Sequence, residues 1–267
     1  VAEIIHALPS EVYFTSGGTE STNMAIHGAV ADLGCKHIIS SPIEHHATLH
    51  TIEYLEQTGQ AKVSYVRILE NGHIDISDLE NLLSKSSQKC LVSLMHGNNE
   101  IGNITNIEII SELCGKYDAV FNTDTVQTLA HQPIDVKRVP VHFMNGAAHK
   151  FHGPKGVGIL YIKRGVNIKP FIHGGGQERK MRAGTENVYG IVGLAKALQM
   201  ATSEMETINE KIRNTKDYMK KRLAEEISGV HFNDDTSGSS LPYGLSVAFP
   251  KTEKSDLLLF NLEIHNI

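Results

Sequence analysis

The sequence predicts an α/β protein built on an open, mainly parallel sheet, and three observations carry this prediction. Short β-branched or aromatic runs alternate along the chain with stretches whose apolar residues recur at helical spacing. Polar residues follow one predicted strand after another, as they do where a ligand lies beyond the strand ends. At 267 residues with 40% hydrophobic residues, the chain is long enough to bury one large core. We therefore expect helices to flank a central sheet.

Composition excludes several classes of function. The formal net charge is −5 and the basic residues are scattered without interleaved aromatic residues, so we expect no direct contact with nucleic acid. No apolar run approaches the ~20 residues of a membrane helix, so no membrane partner is expected. The three cysteines are far apart, which indicates neither a disulfide framework nor a zinc site and fits the reducing cytoplasm. His46 and His50 lack an accompanying ligand at helical spacing, so we expect no metal site.

The first strand-to-helix turn is a candidate anion site. A strand at 12–15 is broken by glycines at 17 and 18, and a helical pattern follows from residue 21. Free amides at a helix start favour a negative charge, and Thr19 beside Gly18 adds a hydroxyl. A turn that is merely capped by Thr19 or Ser21 is the alternative. The spacing matches neither the dinucleotide nor the Walker fingerprint, so a phosphate is expected without NAD or ATP.

Later strand ends carry groups that could face a flat, cationic ligand. His45 follows the strand at 37–40, and an imidazole there can stack on a ring. Asn99 follows an apolar strand, although an Asx turn would use the same residue types. Asp124 ends the strand at 119–123 and could face a ring nitrogen, with Gln127 three residues later, or cap a helix.

Lys150 lies in a turn that glycines and a proline keep from being helical. The strand predicted at 141–144 leads into it, and the run 158–162 predicts the returning strand. A lysine that attacks an aldehyde must first lose its proton, which burial beside other cations favours. We therefore expect Lys150 to be held between two core strands, although a surface lysine in a turn is the ordinary alternative.

Six motifs in one order give a family resemblance. They are TSGGTES at 15–21, EH at 44–45, MHGNNEIG at 95–102, DTVQ at 124–127, AHK at 148–150 with GPKG at 153–156, and HGGGQER at 173–179 with RAGT at 182–185. In this order the sequence closely resembles the cysteine desulfurases of the NifS/IscS type. These are class V aminotransferases, which are pyridoxal 5′-phosphate (PLP) enzymes of fold type I.

The resemblance implies a role for each group around the cofactor ring. Lys150 would bind the cofactor's aldehyde covalently and later move the proton at the substrate Cα. His45 would stack on the pyridine ring, and Asp124 would pair with its nitrogen. Asn99 and Gln127 would contact the ring substituents, with Gln127 at the phenolic oxygen. Lys150, His45 and Asp124 are thus the expected catalytic residues.

The resemblance also implies a phosphate site shared between two subunits. The Gly18 amide, Thr19 and His149 would hold the phosphate, and Thr185 would reach the phosphate of a neighbouring subunit. A homodimer is therefore expected. The sequence departs from the family at Ala147, where a phosphate-binding serine is usual, and the missing hydroxyl predicts weaker cofactor binding by about 1 kcal/mol.

The same resemblance divides the chain into two parts. Residues 1–190 would form the large PLP-binding domain, with an N-terminal segment missing. Residues 191–267 would hold a connecting helix and the start of a smaller α+β domain, with one long helix over 190–224. The family's sulfur-carrying cysteine and substrate-binding arginine would follow a strand at 245–249 and a helix at 255–262. We therefore expect this sequence to be part of a longer enzyme, rather than a cofactor-binding remnant.

The activity implied is removal of sulfur from L-cysteine. The products would be L-alanine and an enzyme persulfide, whose sulfur passes to an acceptor or an iron–sulfur scaffold protein. The alternatives are another class V enzyme, such as a selenocysteine lyase or an aminotransferase, and a non-catalytic PLP-fold binding module that lacks the cysteine.

Overall fold

A computed structural model describes residues 1–233, 235, 240–253 and 255–267. The strands are β1 (Val12–Thr15), β2 (His37–Ser40), β3 (Lys62–Tyr65), β4 (Cys90–Ser93), β5 (Val120–Asp124), β6 (Phe143–Ala147), β7 (Gly158–Ile162), β8 (His231–Phe232) and β9 (Val247–Ala248). The α-helices are α1 (Gly18–Ala31), α2 (His46–Gln57), α3 (Ile76–Lys85), α4 (Ile107–Lys116), α5 (Val188–Ser203), α6 (Met205–Glu226) and α7 (Leu258–Ile264). Of these described helices, none is long and apolar enough to cross a membrane.

The main sheet has the strand order β1-β7-β6-β5-β4-β2-β3. Neighbours from β3 through β6 pair in parallel, whereas β7 runs antiparallel to both β6 and β1. The prediction of a mainly parallel sheet is therefore confirmed. The carboxyl ends of β2, β4, β5 and β6 lie at one edge of the sheet, which brings the residues that follow them together.

Both faces of the sheet are buried. Ile38, Leu91 and Phe143 belong to the core on one face, and Ile39 and Phe121 belong to the core on the other. Successive side chains of a strand point to opposite faces, so a strand covered on both sides is apolar throughout. This burial explains the apolar runs of β4 and β7, which are buried along their whole length, and it makes the sheet edge a rigid support for the site.

Three predicted elements differ from the structure. The single helix predicted over 190–224 is two helices, since Glu204 adopts a non-helical conformation (φ −113°, ψ 8°) between α5 and α6. The strand predicted at 141–144 begins two residues later, where Phe143 pairs with Ile162. The strand predicted at 245–249 is shorter, since β9 covers only Val247–Ala248.

The division at residue 190 stays a prediction. Leu194 and Leu198 of α5 lie in the main core, which ties this helix to the sheet. β8 and β9 form a separate two-stranded sheet.

Candidate active site

A cleft of about 310 Å³ opens at the carboxyl edge of the main sheet. It brings together eight of the nine residues predicted for the site. They are Gly18, Thr19, His45, Asn99, Asp124, Gln127, His149 and Lys150. Loops after β1, β2, β4, β5 and β6 supply them, so residues far apart in sequence converge on one space.

Lys150 lies on a short 3-10 turn, Ala148–Phe151, which follows β6 directly. The buried ring of Phe151 anchors the end of the turn, and His152 closes it with a left-handed backbone (φ 64°). Gly153 packs tightly here, since a Cβ on it would come within 2.8 Å of the Ala148 side chain. The turn therefore holds the Lys150 backbone firmly.

Lys150 lies between β6 and β7 along the chain, and both Lys150 and His149 are exposed residues that line the cleft. The burial that would favour loss of a lysine proton is therefore not seen at Lys150. Partial burial lowers the pKa of His149, and the positive charges of Lys150 and Lys155 lower it further. This end of the cleft thus concentrates basic groups.

Asp124 ends β5 and is 7% exposed. Its Oδ1 accepts a hydrogen bond of 2.8 Å from the Val126 amide. Burial raises the pKa of Asp124, while the hydrogen bond from the Val126 amide and the electrostatic interactions with His45 and Lys150 act in the opposite direction. A buried carboxyl group in such surroundings favours a cationic partner. No α-helix begins directly after Asp124, where residues 126–128 form a turn.

His45 is the N-cap residue of α2, and its conformation is set by the helix. Its Nδ1 accepts a hydrogen bond of 3.1 Å from the Ala47 amide. An imidazole that accepts at Nδ1 carries its proton at Nε2 when it is neutral. His45 therefore lines the cleft with a ring of fixed tautomer.

The sequence left open whether the asparagine at the end of β4 contacts a ligand or forms an Asx turn. In the structure Asn98 forms the turn and Asn99 lines the cleft. Asn98 is buried, and its Oδ1 accepts from the amides of Glu100 (2.8 Å) and Ile101 (2.9 Å). Its Nδ2 donates to the Ile43 carbonyl at 2.9 Å. Asn98 thus builds the turn, and the turn presents the exposed Asn99 to the cleft.

The start of α1 closes another side of the cleft. Gly18 is its first residue, and the amides of the first turn have no partner within the helix. A Cβ on Gly18 would come within 2.8 Å of the Val126 side chain, so the backbone approaches this loop closely. Glu20 fixes the helix start by accepting from the Ser16 amide at 2.9 Å and from Arg182 Nε at 2.8 Å.

Thr185 does not line this cleft. It lies in a separate depression with Ser16, Gly156 and Arg182. Thr185 is the one of the nine predicted site residues that does not line the cleft of its own chain.

Sequence reasoning assigned no function to some residues of the site. Met95 and Val126 line the cleft, and they lie within the motifs at 95–102 and 124–127. Glu44 is buried, and its Oε1 accepts from Ser41 Oγ and from the Met95 amide, both at 2.9 Å. Glu44 therefore joins the ends of β2 and β4, and its place beside His45 in the second motif was the only available signal.

All three cysteines are free and buried away from the cleft. Burial raises the pKa of Cys35 and of Cys114 to about 12 in each case. It also raises the pKa of Cys90. Because the thiolate is the reactive form, none of the three is a nucleophile in this fold.

Comparison with known proteins agrees with this geometry. The sequence matches the family described as Aminotransferase class-V over residues 1–267. The cysteine desulfurase IscS of Dictyoglomus turgidum is 43% identical over 97% of this chain and 65% of its own length. A NifS-like protein of known structure has a TM-score of 0.89 and 39% identity over 100% of this chain and 72% of its own.

A second solved structure, described as SspA in complex with cysteine, has a TM-score of 0.82 and 31% identity. The match covers 98% of this chain and 72% of the SspA chain. The chain thus spans about two thirds of the length of the relatives it matches. It belongs to the class V aminotransferase family, within which it is similar to cysteine desulfurases of the NifS/IscS type.

Proposed function

We propose that the chain binds PLP on Lys150 and forms the cofactor-binding part of a cysteine desulfurase that converts L-cysteine to L-alanine. One observation carries the proposal. A lysine amine, a buried carboxyl group, an aromatic ring and a helix N-terminus line the same cleft. The names of its relatives, and the cysteine complex of one of them, support the same substrate.

The groups present fit PLP in size, charge and order. A cavity of about 310 Å³ lies at the lower end of the volumes of small-molecule sites. The start of α1 beside His149 suits a phosphate, and the buried Asp124 suits a protonated ring nitrogen. His45 supplies a flat surface for the ring, and Lys150 supplies the amine for the aldehyde.

Each side chain then has a distinct task. PLP, when bound, withdraws electrons from the substrate and weakens the bonds at its Cα. Lys150 accepts and returns the Cα proton from the open side of the cleft. Asp124 keeps a proton on the ring nitrogen, and Gln127 donates to the ring oxygen. His45 keeps water from one face of the ring.

The sulfur must pass to a thiol outside the set described above. The protonated, buried Cys35, Cys90 and Cys114 do not accept it, since none of them reaches the cleft. We infer that a separate cysteine takes the sulfur as a persulfide and passes it to an acceptor or an iron–sulfur scaffold protein. The three free thiols suit a reducing compartment such as the cytoplasm.

We also propose a homodimer. Thr185 lies in a depression apart from its own cleft, with Ser16 and Arg182 beside it. This placement supports a role for Thr185 toward the phosphate bound by a second copy. Light scattering coupled to size-exclusion chromatography tests the dimer, and a monomeric mass in the presence of PLP would exclude it.

Covalent labelling tests the cofactor assignment. The protein is incubated with PLP, reduced with borohydride and digested, and the peptides are analysed by mass spectrometry. We expect one PLP adduct on Lys150, its absence in Lys150→Ala, and its retention in Lys155→Ala, a variant of the nearby exposed lysine. An adduct that stays in Lys150→Ala overturns the assignment.

Proton exchange tests the chemistry without requiring a sulfur-carrying thiol. With PLP and L-alanine in deuterated water, the Cα proton of the amino acid should exchange, as followed by proton NMR. Lys150→Ala should abolish this exchange, because it removes the base. Formation of L-alanine from L-cysteine, measured separately, then distinguishes a desulfurase from an aminotransferase or a binding module.

A further inference from the structure

Tyr243 joins the C-terminal part of the described chain to the wall of the cleft. Its hydroxyl donates to the main-chain oxygen of Gln127 and lies 3.2 Å from Gln127 Oε1. Gln127 lines the cleft, and Tyr243 contacts it from outside that lining. A side chain 116 positions away thus meets a residue expected to contact the cofactor ring.

The backbone around Tyr243 is fixed by the large sheet's own loops. The Leu241 amide donates to the Gly102 carbonyl at 2.7 Å, and the Leu241 side chain is 1% exposed. Lys216 Nζ of α6 donates to the Leu241 carbonyl at 3.3 Å. Gly244 packs against Gly102, where a Cβ would come within 3.3 Å of the Gly102 Cα. Tyr243 therefore stands on an anchored stretch of chain.

The ring of Tyr243 makes a second contact toward Lys150. It packs against His131 with ring centroids 4.7 Å apart and an angle of 55° between the planes. His131 Nε2 lies 3.3 Å from the main-chain oxygen of Lys150. Burial lowers the pKa of His131, so a neutral ring with its proton on Nε2 can donate to this oxygen. Tyr243 thus supports both the Gln127 and the Lys150 sides of the cleft.

A carboxamide presents either an acceptor or a donor, depending on which end is held. The Tyr243 hydroxyl has one hydrogen, which it shares between the main-chain oxygen of Gln127 and, at 3.2 Å, the side-chain Oε1. Because Oε1 is the end held by the tyrosine, Nε2 is the end left for the cleft. An N–H donor at this position suits an anionic ring oxygen, whereas the flipped amide would repel it.

We propose that Tyr243 is a positioning residue, whose hydroxyl holds the Gln127 carboxamide so that its NH₂ group faces the ring oxygen of the cofactor. This inference rests on the proposed PLP function. It assigns to the segment at 240–244 a direct influence on the cofactor site.

The test is a double-mutant cycle on PLP affinity, measured by absorbance titration of the purified protein. Tyr243→Phe removes the hydroxyl but keeps the ring on His131, and should weaken PLP binding about three- to tenfold. In a Gln127→Ala background the same change should have a smaller effect, because only the hydrogen bond to the main-chain oxygen of residue 127 is then left to lose. Gln127→Glu keeps an acceptor for Tyr243 but offers the cleft no donor, so it should bind PLP no better than Gln127→Ala.

A spectroscopic readout separates positioning from a general loss of structure. The pH at which the absorption band of bound PLP changes should rise by about half a unit or more in Tyr243→Phe, since a ring oxygen that loses a donor holds a nearby proton more strongly. Tyr189→Phe, at a side chain 93% exposed, is the control and should match the wild type in both measurements.

The possible outcomes distinguish a failure of the Tyr243 inference from a failure of the proposed PLP function. Wild-type protein that fails to bind PLP overturns both. Wild-type binding with an unchanged Tyr243→Phe, or with an equal loss in the Gln127→Ala background, overturns the role of Tyr243 alone. Urea unfolding of each variant identifies a loss of affinity that arises from misfolding.

Discussion

Glu44 and Asp124 are two buried carboxyl groups beneath the same cleft, and the charge of Asp124 bears on Glu44. Burial, and then this charge, raises the pKa of Glu44 to about 8, although hydrogen bonds from the Met95 amide and Ser41 act in the opposite direction. Glu44 therefore keeps its proton at neutral pH. Asp124 is then the carboxyl group of the pair that lines the cleft and can meet a cationic ligand.

Glu44→Gln should make stability less sensitive to pH. The free carboxyl ionises near pH 4.3 in an unfolded chain, whereas Glu44 in the fold holds its proton to about pH 8. Unfolding thus releases a proton within this window, and the stability of the wild type falls as pH rises through it. Glutamine cannot ionise and keeps an acceptor for the Met95 amide and Ser41.

Urea unfolding at pH 5 and pH 8 measures the difference. The variant should lose less stability than the wild type between these values, by about 3–4 kcal/mol. Glu112→Gln, at an exposed position of α4, serves as the control and should follow the wild type. A loss in Glu44→Gln as large as that of the wild type would show that Glu44 does not hold its proton.

The sheet edge explains why the sequence predicts most of this site. His45, Asp124 and Lys150 each follow a strand closely, and strands of a parallel sheet end together, so the placement follows from element order alone. Gly18 is similarly placed by the turn between β1 and α1. Their roles, however, came from family resemblance and not from position.

Other features depend on packing that no short stretch of sequence encodes. The exposure of Lys150 depends on where β6 ends, which its pairing with β7 decides. The burial of Glu44 depends on the contact with Met95, 51 positions later. Tyr243 meets Gln127 across 116 positions, and neither its neighbours nor any periodicity indicates this contact. Such contacts depend on the tertiary packing of segments that are far apart in sequence.

Asp124→Asn should leave the fold intact but slow the chemistry. Asparagine keeps an oxygen for the Val126 amide, which donates to Asp124 Oδ1 at 2.8 Å, but it carries no charge to hold a proton on the cofactor nitrogen. We expect PLP to remain attached to Lys150 and the Cα exchange of L-alanine to slow by about 100-fold or more. Proton NMR in deuterated water measures the rate, and exchange within twofold of the wild type would exclude this role.

Ala147→Ser should strengthen cofactor binding. Ala147 lines the cleft at the end of β6 and is 1% exposed, so a serine hydroxyl there can meet the phosphate. One hydrogen bond of about 0.5–1.5 kcal/mol corresponds to roughly two- to tenfold tighter PLP binding. Absorbance titration measures the change.

Ala148→Ser is the matched comparison for that variant. Ala148 is 0% exposed and lies in the core, outside the lining of the cleft. A hydroxyl there should lower stability by about 1–3 kcal/mol without a gain in PLP affinity. Equal affinity gains in both variants, or none in Ala147→Ser, would contradict a phosphate contact at position 147.

Gly18→Ala should disturb the anion end of the cleft through a single methyl group. The new Cβ would lie 2.8 Å from Val126 Cγ2, so either α1 or the loop that follows Asp124 must move. Both carry groups that line the cleft, so we expect PLP affinity to fall at least about tenfold, with a loss of roughly 1–3 kcal/mol in stability. Gly115→Ala on α4 meets nothing within 4 Å and should instead be neutral or stabilising. Titration and urea unfolding of the pair separate the two effects, and a Gly18→Ala protein that binds PLP as tightly as the wild type would remove the start of α1 from the proposed phosphate site.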